Sequence, residues 1–451
     1  MSTVTAPPPP PDVGARAVAV ASRRLLPLLV LMFVIAYVDR LNITFAETEL
    51  ERDLGLSASL YGLAAGAFFI GFVLLEVPSN LILHRVGARR WMARIMVTWG
   101  LAAAATAFVW DATSLIVARV LLGVAEAGFF PGVVFYLSLW FPVAHRGRAM
   151  AIFMSAIALS FLVAGPLSGA LLELDGVLGL HGWQWLFIVE GLPAVLVGAY
   201  VFRALPDGPA DAPWLAADER AWIEHEIATE TAAADAEEKL ELRDALTDRR
   251  VRALALVYLC INVASYGTIF WIADIVERIG DLGSFSVGLI AAIPFAFGTA
   301  GLLVFGRLSD GAGERRRYVV IGSLLGFVGL VGAALLPAIP AIAALSLGAF
   351  GLLGTIPTFW GMPSTLLTGR AAAGGIALIN AIGVSGGLIG PVIVGAMKDA
   401  TGSLTGGLLI LAGVLLVGAA LASRLTVTGA RPGARTPQGA AAPGRGPAAP
   451  R

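Results

Sequence analysis

The chain has 451 residues, of which 57% are hydrophobic and only 14% charged, against about a quarter charged in an ordinary soluble domain. Lys and Arg total 31 and Asp and Glu total 31, so no net charge recruits nucleic acid; one Cys and four His exclude a disulfide scaffold, a zinc ribbon and an iron–sulfur protein. With 54 Gly and a mean hydropathy of +0.82, this is the composition of an all-α integral membrane protein.

Residues 1–24, with a proline run at 7–11, read as a disordered cytoplasmic tail that has too little apolar surface to build a core. Crossing a hydrocarbon layer about 30 Å thick takes roughly 20 apolar residues, each rising about 1.5 Å. The first such run, 25–46, is longer than a signal-peptide core and lacks a small-residue cleavage site. It carries Asp39 and Arg40, about 100° apart on a helix and able to address different partners. Runs 60–83 and 93–110 follow, and the turn between them reads HRVGARR, with Arg85, Gly87 and Arg89. The fourth run, 114–139, holds Arg119 and Glu126, two turns apart and therefore on one face. Gly123 and Gly128 permit close helix approach beside the acid, and Pro131 is placed to bend the helix. Runs 149–172 and 185–205 complete a first half, 25–205.

An ionisable group near the centre of a span costs roughly 2.5–3.5 kcal/mol on insertion scales. Asp39, Arg40, Arg119 and Glu126 are therefore the leading functional candidates, two acids and two bases that balance when the site is empty. The competing reading is two salt bridges that only pin the first span to the fourth. Glu76 and Glu190 read as structural.

Residues 206–250 are acidic, with Trp222, Ile223 and Ile227 near helical spacing, and read as a partly helical cytoplasmic linker. The second half, 251–425, contains runs 251–274, 286–305, 318–337, 341–368, 374–396 and 404–425. Tyr258, Asn262 and Tyr266 recur at i, i+4 and i+8 on the seventh run, a shared face that suits either substrate or an aromatic packing stripe. Trp360 in the tenth run and Asn380 in the eleventh are further candidates for substrate contact. The turn DGAGERR, 310–316, supplies Asp310, Gly313 and Arg315, and the Pro/Gly/Ala/Arg tail 426–451 reads as disordered.

A shift of 226 residues overlays Gly87 on Gly313 and Arg89 on Arg315, which makes the chain two six-helix halves related by repetition. That architecture places a substrate site between the halves near the membrane midplane. The two basic turns read as gate hardware that latches helix ends. Basic residues resist translocation, and on one set of loops only Arg52, Arg278 and Lys398 occur, so both termini are expected in the cytoplasm of a cell with its inner (plasma) membrane as host. No GxxxxGK[ST] loop is present, so ATP is not the expected drive. The midplane charges have no His or Cys beside them to form an enzyme site, and no cofactor or metal is implied. A monomer is expected.

YVDRLNITFA (37–46), RVLLGVAEAGFFPGVVFYLSLWFP (119–142), GRLSDGAGERR (306–316), AAAGGIALIN (371–380) and VGAMKDATGS (394–403) resemble the anion:cation symporter branch of the major facilitator superfamily. The resemblance spans 25–425 and implies twelve transmembrane helices and import of a small organic carboxylate with protons through alternating access. It also implies that Asp39 and Glu126 carry protons while Arg40 and Arg119 bind the anion. The chain departs from that branch at His84, where the first basic turn usually has an acid, and at Ala273 and Val384. An exporter or antiporter on the same fold, and a membrane sensor that does not transport, are the alternative readings.

Overall fold

The computed structural model describes residues 11–235, 248–312, 314–363 and 371–425. Twelve spans lie among them: Val13–Phe45, Ala58–Leu83, Ala88–Phe108, Ala112–Trp140, Val143–Leu172, Gly182–Ala204, Arg249–Ile269, Ser284–Ser309, Arg315–Leu335, Ala338–Trp360, Leu378–Thr401 and Thr405–Arg424. They follow the order of the apolar runs, and we number them one to twelve. The described elements are all helical, as expected where backbone groups have no water to bond and must pair within each segment.

Several boundaries differ from expectation. The first helix begins at Pro11, so residues 11–24 are helix and not a disordered tail. A partner stabilises this extension. The linker helix Ala217–Asp235 lies against it, with Ile223 fully buried and an Arg16–Asp218 ion pair of 3.1 Å. At Gly14 a methyl group would come within 2.6 Å of the Trp222 ring. The same linker stacks Trp214 on Trp140 at 5.3 Å and pairs Glu230 with Arg146 at 3.2 Å, which docks it onto the first half.

Span four is not one helix. It breaks between Ala112–Glu126 and Phe129–Trp140, and Gly128 there adopts φ 87, a left-handed conformation that a residue with Cβ rarely takes. The Ser79 hydroxyl fills the gap by donating to the Ala127 carbonyl at 2.7 Å, and the Trp91 indole in turn donates to Ser79 at 3.0 Å. The bend expected at Pro131 is thus made at Gly128. Pro131 sits in the first turn of the second segment, where a helix does not need its N–H. Span seven ends at Ile269 instead of 274 and resumes as the short helix Ile272–Glu277. Span ten's helix ends at Trp360; the expected extension through 364–368 lies outside the described residues. Span eleven divides into Ala371–Val384 and Gly386–Thr401.

The halves meet most tightly at the end far from the linker. There span two crosses span eleven and span five crosses span eight. A methyl group at Gly62 would come within 2.5 Å of the Pro391 carbonyl oxygen, and one at Gly169 within 2.8 Å of the Phe285 Cα. Small residues that let backbones touch are the usual means of helix association in lipid.

Candidate functional site

Spans one, two and four build the centre of the first half. Backbone contact between spans two and four at Gly71, where a methyl group would come within 2.8 Å of the Val124 amide nitrogen, places Phe68 and Phe72 beside the fourth span's charges. Asp39 and Arg119 are fully buried, Glu126 is 1% exposed, and the Arg40 side chain retains 11% exposure. All four sequence candidates are therefore brought to one buried cluster.

Within it the pairing is unequal. The Arg40 guanidinium donates to Glu126 Oε1, and its charge lies about 5 Å from the Tyr37, Phe68 and Phe72 rings. That aromatic collar favours a cation through the negative ring faces. Arg119 lies 5.7 Å from the Phe68 ring centre, and its Nε, Nη1 and Nη2 are all buried without a hydrogen-bond partner. Asp39 Oδ1 accepts from Asn42 at 3.1 Å, but Asp39 Oδ2 and Glu126 Oε2 have no hydrogen-bond partner. Asp39 and Glu126 both act electrostatically on Arg119. The cluster thus holds one direct ion pair and one guanidinium whose donors have no hydrogen-bond partner. Donors left that way in a low-dielectric interior are expensive.

A third carboxyl, Glu190 of span six, is also buried at 4% exposure. Its Oε1 accepts from the Ser168 hydroxyl at 2.9 Å, and Asp39 is the charged group that acts on it. The FIVEGLP segment shows an acid in an apolar run, the same signal that picked out Glu126, yet its contact with the cluster depends on how span six is rotated.

The second half contributes differently. Tyr266 packs on Phe69 at 4.6 Å across the half interface and acts electrostatically on Arg40, so it faces the charge cluster. Tyr258 is stacked on Phe359 at 4.8 Å and meets Trp360 edge-on at 5.0 Å. Asn262 is 8% exposed and donates to the Tyr258 carbonyl one turn back, at 2.9 Å. Asn380 donates to both oxygens of Glu76, at 3.2 and 3.3 Å. Of the second-half candidates, Tyr266 and Asn380 therefore contact the first half directly, Tyr258 reaches Tyr37 and Glu76 only electrostatically, and Asn262 and Trp360 are engaged within their own half.

The basic turns pin helix ends inside each half. Arg89 forms an ion pair with Asp207 at 3.2 Å, its backbone N–H donates to Asp207 Oδ1 at 3.0 Å, and Gly87 makes room for that carboxylate with φ 95. Arg85 is exposed. Arg315 donates to the Gly361 carbonyl at 2.5 Å at the end of span ten, and Arg316 to the Ser423 and Leu425 carbonyls at 3.2 and 3.0 Å at the end of span twelve. Cations at helix C-termini complement the unpaired carbonyls and the helix dipole. The Asp310 side chain and Gly313 lie outside the described residues.

At the far end the structure reveals a latch that the sequence did not. Lys398 Nζ lies 2.9 Å from Glu47, 3.3 Å from Glu51 and 2.9 Å from Asp274, with the Trp271 ring 4.7 Å away. Glu47 and Glu51 belong to the short helix Glu47–Leu54 of the first half, and Lys398 and Asp274 to the second. Asp399 adds a second clasp by accepting from the Ala58 and Ser59 amides, both at 2.9 Å, and so caps span two from the opposite half. Thr48 donates to Glu277 at 2.9 Å. Burial and the neighbouring Asp274 carboxylate hold the Glu47 carboxyl well above the usual range, against the pull of Lys398.

Comparison with known proteins agrees with this architecture. The profile of the Major Facilitator Superfamily matches residues 28–391. A protein of Agrobacterium vitis named "Putative tartrate transporter" is 44% identical over 409 residues, which is 90% of this chain and 94% of that one. The "Quinolone resistance transporter" of Acinetobacter baumannii is 41% identical over 396 residues, 88% of this chain and 91% of that one. The crystal structure of a bacterial homologue of the human lysosomal transporter Spinster, in an inward-facing and occupied conformation, superposes with a TM-score of 0.75. It has 17% identity and covers 88% of this chain and 95% of that chain. On the family match, the length shared with these relatives and the twelve spans, the chain is a multi-pass membrane transporter, not an enzyme, and belongs to the Major Facilitator Superfamily.

Proposed function

We propose that this protein imports a small organic carboxylate together with protons by alternating access, with both termini in the cytoplasm of the inner (plasma) membrane. The observation that carries the reading is Arg119, a fully buried guanidinium with three nitrogens lacking hydrogen-bond partners, beside two carboxylates that each have one oxygen without a hydrogen bond. Guanidinium matches a planar carboxylate in two parallel hydrogen bonds. The tartrate transporter name carried by a relative 44% identical to this chain supports an organic anion as cargo.

Coupling follows from competition for the arginines. Glu126 is held by Arg40. An anion that enters and takes Arg40 or Arg119 displaces the internal carboxylate, which then gains by binding a proton, since a buried carboxylate is costly once its cation is shared. Asp39, hydrogen-bonded only through Oδ1, is the second proton carrier. Tyr266 and Asn380 complete the cargo site from the second half, with Tyr258, Asn262 and Trp360 supporting its wall. The far-end latch is the outer gate, closed in this structure, and the basic turns hold the cytoplasmic ends.

The test is the internal pH of liposomes reconstituted with the protein, as sugar acids, tartrate, aromatic acids and nicotinate are added in turn. Protein-dependent acidification of the lumen with one class of acid is expected. Alkalinisation instead would favour export or antiport. Silence despite measurable binding would favour uniport, exchange or sensing.

A further inference from the structure

Three arginines converge where spans three and six reach the linker-side membrane edge. Arg90 and Arg94 stand one turn apart on span three and share a face, and Arg203 lies in the last turn of span six. The two helices pack closely: a methyl group at Gly198 would come within 2.9 Å of Met96 Cβ and of Val97 Cγ2. Toward the edge they part into a groove of about 370 Å³, with the three arginines around it and Val97, Gly198 and Phe202 as its apolar floor. Arg94 lies over the Trp91 ring at 3.9 Å, and its Nε is buried without a hydrogen-bond partner. Neighbouring Arg89 is neutralised by Asp207, but Arg90, Arg94 and Arg203 form no ion pair among the described residues. The flanking surface is apolar, with Leu196, Tyr200 and Phe202 more than half exposed.

We propose that this groove binds the headgroup of an anionic phospholipid. Its phosphate would sit among Arg90, Arg94 and Arg203 and one acyl chain would run along Val97 and Phe202. Three uncompensated cations concentrate a positive field at one point of the membrane edge, and clusters of this kind between helices recognise anionic headgroups. The apolar floor continues into lipid-facing surface, which favours a lipid over a soluble anion. A topological role alone would need only charge near the edge. It would not need three arginines around one groove, one of them stacked on an indole.

Native mass spectrometry of the full-length protein in detergent tests this, by titration with a phosphatidylglycerol and with a phosphatidylcholine of the same acyl chains. One saturable phosphatidylglycerol adduct is expected, weakened about fivefold in Arg203→Gln and about thirtyfold in Arg94→Gln/Arg203→Gln. Arg203 is exposed and lies outside the Trp91 stack, so its variant tests the site without disturbing packing. Arg424→Gln, at the end of span twelve, leaves binding unchanged. Equal affinity for phosphatidylcholine overturns the proposal, as does a titration that neither groove variant shifts. Displacement of the lipid by an equal concentration of glycerol 3-phosphate overturns the lipid as ligand in favour of a soluble phosphate ester.

Discussion

Arg40 and Arg119 share one buried cluster, yet only Arg40 holds a carboxylate, so the two arginines should fail differently when changed. Arg119→Lys keeps the charge but loses the fork, and hydrogen bonds to charged groups contribute about 1.5–3 kcal/mol each. We expect half-saturation for uptake to rise about 10- to 100-fold; uptake kinetics in proteoliposomes that match the unaltered protein would remove Arg119 from the site. Glu126→Gln retains a hydrogen-bond acceptor for Arg40 but cannot release a proton. Proton-driven accumulation should vanish while exchange of internal for external substrate persists, and parallel loss of both in a folded protein would count against Glu126 as the coupling group. Glu190→Gln, which preserves the Ser168 contact, is the companion control for a buried acid without a cation. The four central charges were legible in the sequence because an ionisable residue in an apolar run stands out by its cost. Their pairing was not, because spacing fixes which residues share a helix face but not how two helices are rotated against each other. Lys398, Glu47, Glu51 and Asp274 gave no signal, since each lies at a span end, where a charge needs no explanation.

At the scale of the element, the twelve spans were readable from length and hydropathy, but their interruptions were not. Both Gly128 and Pro131 were visible near the middle of span four, and local pattern alone favoured the proline as the bend. The structure puts the break at Gly128, where Ser79 from span two closes over the free backbone. That choice depends on a residue about fifty positions away, beyond any local pattern. Gly128→Ala must hold a Cβ at φ 87 and push Ser79 aside. The left-handed conformation alone costs about 1–2 kcal/mol. The thermal midpoint of the purified protein should therefore drop by several degrees. Gly147→Ala is the opposite case, a helical glycine with open space around it, where alanine gains about 1 kcal/mol of helix propensity. A midpoint for Gly128→Ala equal to that of Gly147→Ala would show that the break carries no conformational demand.

Over the whole molecule, the contacts between the halves gather at the far end, and their polar core is three carboxylates around one lysine. With Glu47, Glu51 and Asp274 all ionised, Lys398 leaves two negative charges uncompensated in the closed gate, and Glu277 and Asp399 stand nearby. Opening the gate returns Glu47 to water, where its carboxyl is ordinary. The closed state therefore binds a proton at Glu47 more tightly than the open one, because burial and Asp274 raise that carboxyl only when the gate is shut. By linkage, this contribution to closure is fully present below the ordinary Glu range near 4.3 and is lost as pH rises through the raised value of the closed state. Acid on the far-end side thus favours the closed latch, and raising the pH there loosens it. Spin labels on cysteines replacing exposed Arg52 and Arg278, with Cys260 changed to Ser, straddle this gate on opposite halves. Pulsed electron paramagnetic resonance should give a short distance at pH 5 and a growing longer population toward pH 8. In Glu47→Gln, a permanent mimic of the protonated acid, the short distance should persist across the range. If the distribution is the same at both pH values in the unaltered gate, Glu47 does not control closure, and the latch is held by Asp399 at the span-two amides and by the glycine contacts of spans two, five, eight and eleven.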